Sequence, residues 1–272
     1  MDRTVLVTGC SSGIGRATAE AFLAEGWTVV ATARDESDIG DLAERGCLTR
    51  ELDVTRPAQC RSVVDWTVEE TGRLDTLINN AGVAQYGPLE DVPTRRVESQ
   101  FDVNVFGPHR LIRAALPHMR EAERGTIVNV SSVSGRLSAP GMGPYSASKA
   151  ALESMSDALR VEVAPFDVDV AVVEPGPVDT QFDDRARASI EGLDRTPAYA
   201  DLYGALDDAE IVGSMGSIPP EEVAAVILEA GTSTDPQPRY TAGPASPYLL
   251  LARFLPDRIR DRIFSLLRRL GT

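Results

Sequence analysis

Short runs of apolar, β-branched residues alternate along this chain with segments whose apolar residues recur at helical spacing. The first run, TVLVT (4–8), is followed by a glycine-containing turn and by RATAEAFLAEG (16–26), which has the helical pattern. Strands that alternate with helices predict right-handed βαβ units, and therefore an α/β fold with a doubly wound parallel sheet and helices on both faces. Four further strand-like runs are TVVATAR (28–34), LDTLINNAG (74–82), GTIVNVSS (125–132) and VDVAVVEPG (168–176).

The pattern changes in the last third of the chain. Residues 177–218 mix short helical and polar segments, and we expect a substrate lid there. PPEEVAAVILEA (219–230) predicts a helix with proline and acids in its first turn, and RYTAG (239–243) predicts the last strand. Residues 244–272 predict a C-terminal helical extension. We expect a single Rossmann-type domain over residues 1–272.

Acidic residues outnumber basic ones by 41 to 27, which gives a net charge of −14 and a pI near 4.6. Because nucleic acid binding needs clustered cations, this balance excludes it as an expected function. All the basic residues are arginines except Lys149. Two explanations of this composition stay open: adaptation to high salt, in which a carboxylate surface remains hydrated, and a GC-rich genome that favours arginine codons.

The segment MDRTVLVTG has no charged-then-apolar leader, and no run of about 18 apolar residues occurs, so we expect a cytoplasmic protein. Three cysteines, Cys10, Cys47 and Cys60, lack paired spacing, and His109 and His118 are isolated. We therefore predict neither a disulfide nor a metal site.

The turn TGCSSGIG (8–15) lies between the first strand and the first helix. Glycines there let the backbone turn sharply and approach a pyrophosphate, which the N–H groups of the helix N-terminus then bind. A glycine turn alone is a weak signal, but its position favours a dinucleotide. The predicted contacts are Gly9, Ser11, Ser12, Gly13, Ile14 and Gly15.

The end of the second strand bears on the choice between NAD(H) and NADP(H). An acid there would bind the ribose 2′-hydroxyl, whereas an arginine would pair with a 2′-phosphate. Ala33 stands where the acid is expected and Arg34 follows, which favours NADP(H). Asp35 and Glu36 come next, and a solvated surface role for Arg34 is the alternative, so NAD(H) stays open.

Two further strand ends carry polar residues. Asp53, in LDV (52–54), is placed to meet the adenine amino group, with Val54 beside it. In NNAG (79–82), Asn79 has a structural alternative, since asparagine side chains tie adjacent strand ends together. The backbone of Asn80, Ala81 and Gly82 is expected to border the cofactor.

Tyr145 and Lys149 are spaced i, i+4 in YSASK, so they share one face of a helix. The ordinary tyrosine pKa of about 10 is too high for efficient acid–base catalysis near neutrality. An ammonium about 5 Å away at an effective dielectric of about 20 would lower it by about two pKa units. Arginine would supply the charge, but it cannot release a proton to a relay.

Several motifs together resemble one family. TGCSSGIG, NNAG, NVFG with Asn104, Ser132, YSASK and PGPVDT match in order and spacing the classical short-chain dehydrogenase/reductase family, over about residues 3–230. The resemblance implies a nicotinamide-dependent oxidoreductase with the tetrad Asn104, Ser132, Tyr145 and Lys149.

The resemblance also implies roles. Ser132 would hydrogen-bond the substrate oxygen, and Tyr145 would act as general acid in reduction or base in oxidation. Lys149 would bind the nicotinamide ribose and lower the tyrosine pKa, while Asn104 would hold a water that links the lysine to solvent. Ser131 competes with Ser132, but as its strand neighbour it points the opposite way. The nicotinamide carboxamide would be contacted from the turn that contains Pro175, Gly176, Val178 and Thr180.

The arginine-bearing tail and the cysteine in TGCSSGIG resemble the branch of 17β-hydroxysteroid and retinol dehydrogenases, which implies an apolar alcohol or ketone substrate. The tail predicts a helix with an apolar face and flanking arginines. Docking on its own domain or on a second subunit is favoured over contact with an anionic membrane. The apolar face comprises Ile259, Ile263, Leu266, Leu267 and Leu270, and the arginines are Arg258, Arg262 and Arg269.

The leading hypothesis is an NADP(H)-dependent oxidoreductase of a lipophilic alcohol, ketone or aldehyde. A 3-oxoacyl-carrier-protein reductase is an alternative that should show a basic patch for its acidic carrier. A dinucleotide-sensing regulator without catalysis is another, although all four tetrad residues are present. The family resemblance implies a homodimer or homotetramer.

Overall fold

The computed structural model describes residues 3–207, 216–243 and 254–270. Seven parallel strands form one sheet: β1 (Thr4–Thr8), β2 (Thr28–Ala33), β3 (Leu48–Glu51), β4 (Thr76–Asn79), β5 (Gly125–Val130), β6 (Val168–Pro175) and β7 (Arg239–Ala242). Their order across the sheet is β3-β2-β1-β4-β5-β6-β7. The strand order therefore reverses between β1 and β4, which is where ligands bind in doubly wound sheets.

Helices cover both faces of the sheet. In chain order they are α1 (Gly13–Ala24), α2 (Gly40–Glu44), α3 (Pro57–Thr71), α4 (Thr94–Phe101), α5 (Gly107–Glu121), α6 (Gly143–Val163), α7 (Gln181–Ala188), α8 (Ala200–Asp207), α9 (Pro220–Thr232) and α10 (Asp257–Leu270). A π-helical turn, Asp102–Phe106, joins α4 to α5. The predicted parallel α/β fold is confirmed.

Alternation along the strands builds two cores. In β1, Val5 and Val7 pack on one face with Phe22 of α1 and with residues of α9. Leu6 packs on the opposite face with residues of α3 and α5. Because parallel strands are buried on both faces, they consist of nearly continuous apolar residues, and this is the pattern that the sequence shows.

One strand was not predicted. β3 has the sequence LTRE, and its residues are partly or fully exposed. It pairs with β2 alone, at the edge of the sheet. An edge strand needs less apolar surface than a central one, so the alternation that identifies the other strands is missing here.

The segment 177–218, expected to be a lid, contains α7 and α8. Its two ends meet in a parallel bridge between Val178 and Ile218. Asp91 fastens the insertion from the opposite side, because its carboxylate accepts hydrogen bonds from Thr196 and from the Tyr203 hydroxyl at 2.7 Å. The described part of the insertion is thus held at its base and at Thr196 and Tyr203.

The tail contains the helix α10. The side chains of Leu267, Arg269 and Leu270 and all of residues 244–253 lie outside the described residues. On its exposed side, Ile259 and Leu266 remain 46% and 57% accessible to solvent. Among the described helices, none combines the length and the apolar character needed to cross a bilayer.

A substitution at Phe22 tests the packing of the core. It is fully buried, and its ring meets that of Trp27 edge-on with centroids 5.1 Å apart. We expect Phe22→Ala to lower the free energy of unfolding by about 3–5 kcal/mol in urea titrations, because a large cavity remains. The control Phe166→Ala, at a residue that is 39% exposed, should cost about 1 kcal/mol or less. Equal losses in both variants would contradict this packing.

Candidate active site

A cavity of about 750 Å³ opens at the carboxyl ends of the strands, beside the junction of β1 and β4. Of the residues predicted for catalysis and cofactor binding, Asn104 alone does not line it. All the other predicted residues line the cavity: Gly9, Ser11, Ser12, Gly13, Ile14, Gly15, Arg34, Asp53, Val54, Asn80, Ala81, Gly82, Ser132, Tyr145, Lys149, Pro175, Gly176, Val178 and Thr180. The fold thus brings together motifs that are far apart in sequence.

The glycine turn fits a close approach of backbone to ligand. Gly9 has φ of +75°, a left-handed conformation that glycine adopts without strain. A Cβ on Gly15 would lie 2.2 Å from the Gly9 carbonyl oxygen and 2.4 Å from Asn80 Nδ2, so no side chain fits there. The turn leads into the N-terminus of α1, whose free N–H groups suit a pyrophosphate.

Thr8 and Asn80 hold this turn in place. The Thr8 hydroxyl accepts hydrogen bonds from the backbone N–H groups of Asn80 and Ala81, at 2.9 and 3.0 Å. The Asn80 amide donates to the Thr8 carbonyl at 2.8 Å. The neighbouring Asn79 donates to Asn129 Oδ1 at 2.8 Å, which links β4 to β5 and is the structural role left open for it.

At the end of β2, Ala33 and Arg34 line the cavity, whereas Asp35 and Glu36 do not. The Asp35 carboxylate accepts bonds from the Ser37 N–H and hydroxyl, at 2.9 and 2.6 Å, and these bonds lower its pKa. Glu36 accepts a bond from the Thr49 hydroxyl at 2.8 Å. Both acids are therefore engaged elsewhere, and Arg34 is the charged residue of this segment that faces the cavity.

Asp53 lines the same end of the cavity. Its carboxylate accepts bonds from the Thr55 N–H and hydroxyl, at 2.9 and 2.7 Å, and it lies 3.4 Å from Arg56 Nε. Burial raises its pKa, but these bonds outweigh that effect and lower it overall. Asp53 is thus a fixed, ionised acceptor at the predicted adenine position.

The two serines after β5 point in different directions. The Ser132 hydroxyl interacts by a hydrogen bond with Tyr145, and it also accepts a bond from the Ser134 N–H at 3.1 Å. Ser131 donates instead to buried Glu153, at 2.9 Å. Both serines line the cavity, but the Ser132 hydroxyl is the one that interacts with Tyr145.

Tyr145 and Lys149 lie on one face of α6 and are 6% and 4% exposed. Lys149 Nζ is 5.9 Å from the centre of the Tyr145 ring and donates to the Val130 carbonyl at 2.8 Å. Burial lowers the pKa of Lys149 to about 8. The ammonium has three N–H donors, and the Val130 carbonyl uses one of them. The other two remain for partners in the cavity.

The expected lowering of the Tyr145 pKa is wrong for this structure. Burial raises that pKa well above its ordinary value, the hydrogen bond with Ser132 opposes the rise, and the negative charge of Asp183 adds to it. Burial is the largest influence on this pKa, because removing a phenolate from water is unfavourable. At neutral pH, Tyr145 is therefore a phenol, the form that can donate a proton.

Asn104 lies behind the cavity, in the π-helical turn between α4 and α5. It is 1% exposed, and its amide bonds both the N–H and the carbonyl of Val83, at 2.9 and 2.8 Å, and the Ser148 hydroxyl at 2.9 Å. A Cβ on Gly82 would come within 3.4 Å of Asn104 Oδ1 and 3.7 Å of Lys149 Nζ. Asn104 thus joins the β4 end to α6 next to the lysine.

Several wall residues were not found from the sequence. They come from the loop after β4, the residue before α6, the lid and the C-terminal segment, and most are apolar: Tyr86, Met142, Phe182, Asp183, Leu255, Ile263 and Phe264. Phe182 packs against Tyr145 with ring centroids 5.9 Å apart. No motif marks these residues, since their position in the cavity wall depends on tertiary packing. The cavity that begins at the glycine turn therefore ends in an apolar chamber beside Tyr145.

A family model described as short chain dehydrogenase matches residues 3–191. The chain belongs to the short-chain dehydrogenase/reductase family, and it is an oxidoreductase of that family, acting on CH–OH or carbonyl groups. The expected resemblance is thereby confirmed.

Three relatives illustrate the range of similarity. An NADPH-dependent 3-dehydrocapnine reductase from Ornithobacterium rhinotracheale is 36% identical, over 96% of this chain and 96% of its own. A 3-ketodihydrosphingosine reductase from Bacteroides thetaiotaomicron is 35% identical, over 97% and 98%. Human retinol dehydrogenase 8 is 34% identical, over 92% and 84%.

Solved structures agree with the fold. A short-chain dehydrogenase from Streptomyces avermitilis superposes with a TM-score of 0.83 at 37% identity, covering 97% of this chain and 96% of its own. A Burkholderia phymatum enzyme in complex with NAD gives 0.80 at 28% identity, with 92% coverage of both. A Burkholderia cenocepacia enzyme in complex with NADP gives 0.77 at 25% identity, with 97% coverage of both. These structures therefore include one enzyme in complex with NAD and one in complex with NADP.

The two serines provide a matched test of the site. If Ser132 has the role that the family resemblance implies, Ser132→Ala should lower kcat by about 100-fold or more, through loss of a hydrogen bond to the developing charge on the substrate oxygen. Ser131→Ala should keep turnover within about threefold while losing about 1 kcal/mol of stability, since its bond to Glu153 serves the fold. Steady-state kinetics and thermal unfolding of both variants measure this. A greater loss of turnover in Ser131→Ala would contradict the assignment.

Proposed function

We propose that this protein is an NADP(H)-dependent oxidoreductase that transfers hydride between the nicotinamide and a lipophilic secondary alcohol or its ketone, with aldehydes as further substrates. One observation carries the proposal. The glycine turn and Arg34 share a single cavity with Ser132 and Tyr145, and the chamber beside Tyr145 has apolar walls. When bound, the cofactor supplies or accepts the hydride, and the protein supplies orientation and proton transfer.

In reduction, the Tyr145 hydroxyl donates a proton to the carbonyl oxygen, and Ser132 donates a hydrogen bond to the same oxygen. The raised pKa of Tyr145 keeps the proton available at neutral pH. The buried Lys149 ammonium stabilises the phenolate that forms. Asn104, which bonds Val83 and Ser148, would position the water through which the lysine reaches solvent.

The residues that would hold the cofactor form a continuous series along the cavity. The glycine turn suits the pyrophosphate, Asp53 the adenine amino group, and Lys149 the nicotinamide ribose. The turn from Pro175 to Thr180 suits the carboxamide. Arg34 would pair with a 2′-phosphate, and the engagement of Asp35 with Ser37 and of Glu36 with Thr49 leaves no competing acid from this segment in the cavity.

The apolar chamber and the similar proteins support the proposed substrate class. Phe182, Leu255, Ile263 and Phe264 offer apolar contacts to a long carbon chain. Relatives named as reductases of 3-dehydrocapnine and 3-ketodihydrosphingosine support a long-chain ketone, and retinol dehydrogenase 8 supports an apolar alcohol. The carrier-protein alternative lacks support in a chain of net charge −14, and the non-catalytic alternative leaves the complete tetrad without a use.

The wider assignments belong to this proposal as well. They are a single domain, a cytoplasmic location, assembly as a homodimer or homotetramer, and adaptation to high salt. The acidic balance of the chain supports the last of these, and the apolar residues that α10 exposes leave its contact with a second subunit or an anionic membrane open.

The proposal predicts ketone-dependent oxidation of NADPH by the purified protein at low and at molar salt, across long-chain ketones, retinal and steroid ketones. Tyr145→Phe should lower kcat by about 1000-fold or more, because the proton donor is lost. Binding of NADPH, followed by its fluorescence, should be retained in the variant. Full turnover by Tyr145→Phe would refute this mechanism.

Arg34→Ala tests the cofactor preference. Losing a charge-assisted bond to the 2′-phosphate should lower kcat/KM for NADPH by about 10- to 100-fold and leave NADH within about twofold. Arg45→Ala removes an arginine that pairs with Glu20 and does not line the cavity, so both cofactors should be unaffected. An equal loss of kcat/KM with NADPH and with NADH in Arg34→Ala would show that Arg34 does not bind the 2′-phosphate.

A further inference from the structure

A carboxylate stands inside the apolar chamber, next to the proton donor. Asp183 is the third residue of α7 and lines the cavity together with Tyr86, Tyr145 and Phe182. Burial, and in addition the negative charge of Asp183, raises the pKa of both tyrosines. Phe182, the residue before Asp183, packs against Tyr145 with ring centroids 5.9 Å apart. The remaining lid residues of this wall offer mostly apolar contacts, so the acid is conspicuous there.

The Asp183 carboxylate has no hydrogen-bond or ion-pair partner among the described residues. The positive charge of Arg187 acts on it at a distance, while Asp179 and Asp184 repel it. Arg185, which also lines the cavity, is bonded to Gln181 at 3.0 Å. Burial is the main influence on Asp183 and raises its pKa. A partly buried carboxylate without a partner is unfavourable for the free protein.

Two other acids of the same region are paired. Asp91 accepts bonds from Thr196 and Tyr203, and Asp207 pairs with Arg195 at 2.8 Å. Asp183 thus differs from them in having its acceptor atoms left for a ligand.

The helix N-terminus alone does not explain Asp183. Acids in the first turn of a helix are stabilised by the helix dipole, and both Asp183 and Asp184 are in the first turn of α7. Asp184 obtains this benefit while exposed to solvent. The dipole therefore accounts for an acid in this turn, but it does not account for one that faces the cavity.

We propose that Asp183 binds a protonated amine adjacent to the reacting carbonyl, so that the preferred substrate is a long-chain α-amino ketone. This inference rests on the proposed oxidoreductase function and deepens it. The carbonyl oxygen must lie at the Tyr145 and Ser132 hydroxyls, and Asp183 lines the same cavity directly after Phe182, whose ring packs against Tyr145. A substituent on the neighbouring carbon therefore lies within reach of the carboxylate, while the alkyl chain extends along the apolar wall. An ammonium offers three donors to the two unpaired oxygens.

The test compares two ketones that differ only in the amine: 3-ketodihydrosphingosine, a long-chain α-amino ketone, and the same compound without its amino group. Three proteins are assayed at saturating NADPH: the wild type, Asp183→Asn and the control Asp184→Asn. The control removes the same charge from the same helix turn at an exposed position. Thermal unfolding of each variant checks folding.

We expect the wild type to prefer the amino ketone. Asp183→Asn should lower kcat/KM for the amino ketone by about tenfold or more, mainly through KM, with a much smaller change for the amine-free ketone. Asp183→Glu should recover part of the loss, and Asp184→Asn should behave as the wild type.

Two results would overturn the inference while leaving the oxidoreductase proposal in place. One is turnover of both ketones without preference; the other is an equal loss on both in Asp183→Asn, which would assign Asp183 a general effect on Tyr145. Inertness of the wild type towards these and all other ketones and aldehydes tested would overturn both proposals.

Discussion

The junction between β1 and β4 is the constraint on which the site depends. Two strands that are 68 residues apart at their ends, Thr8 and Thr76, lie side by side, and the bonds between Thr8 and Asn80 fix the glycine turn against them. The absence of a Cβ on Gly15 lets α1 begin directly above this point. Without that contact, the glycine turn that suits the pyrophosphate would not be fixed relative to the rest of the cavity.

Polar networks extend this junction across the sheet to the catalytic side. Asn79 bonds Asn129, and Asn129 bonds Ser156 of α6, both at 2.8 Å. Next to them, Ser131 bonds Glu153, which Arg136 joins to Glu174. These buried bonds set how α6 lies on β5, and therefore where Tyr145 stands relative to Ser132. Such networks favour one arrangement because a small shift would leave several buried groups unsatisfied.

The sequence predicted what depends on local pattern. Continuous apolar runs identified the central strands, and glycines and asparagines at their ends identified the turn and the nucleotide side of the cavity. The edge strand β3 was missed because its residues are partly exposed and polar. The chamber was also missed: Phe182, Asp183 and Phe264 reach it through the packing of the lid and α10, which no spacing encodes. The sign of the Tyr145 shift was wrong because the degree of burial is a tertiary property.

Burial also explains why one lysine persists in a chain that otherwise uses arginine. The Lys149 ammonium fits between α6 and the end of β5, 2.8 Å from the Val130 carbonyl. Its pKa falls to about 8 there, so it is charged at neutral pH and can exchange a proton. A guanidinium is larger and planar, and it keeps its proton in a protein. At exposed positions the two residues are interchangeable in charge, so composition can drift towards arginine; at this position size and proton exchange are both constrained. The same burial that holds Lys149 near its titration range keeps Tyr145 protonated, and the pair is thereby suited to donate a proton to a carbonyl and to regain it from solvent.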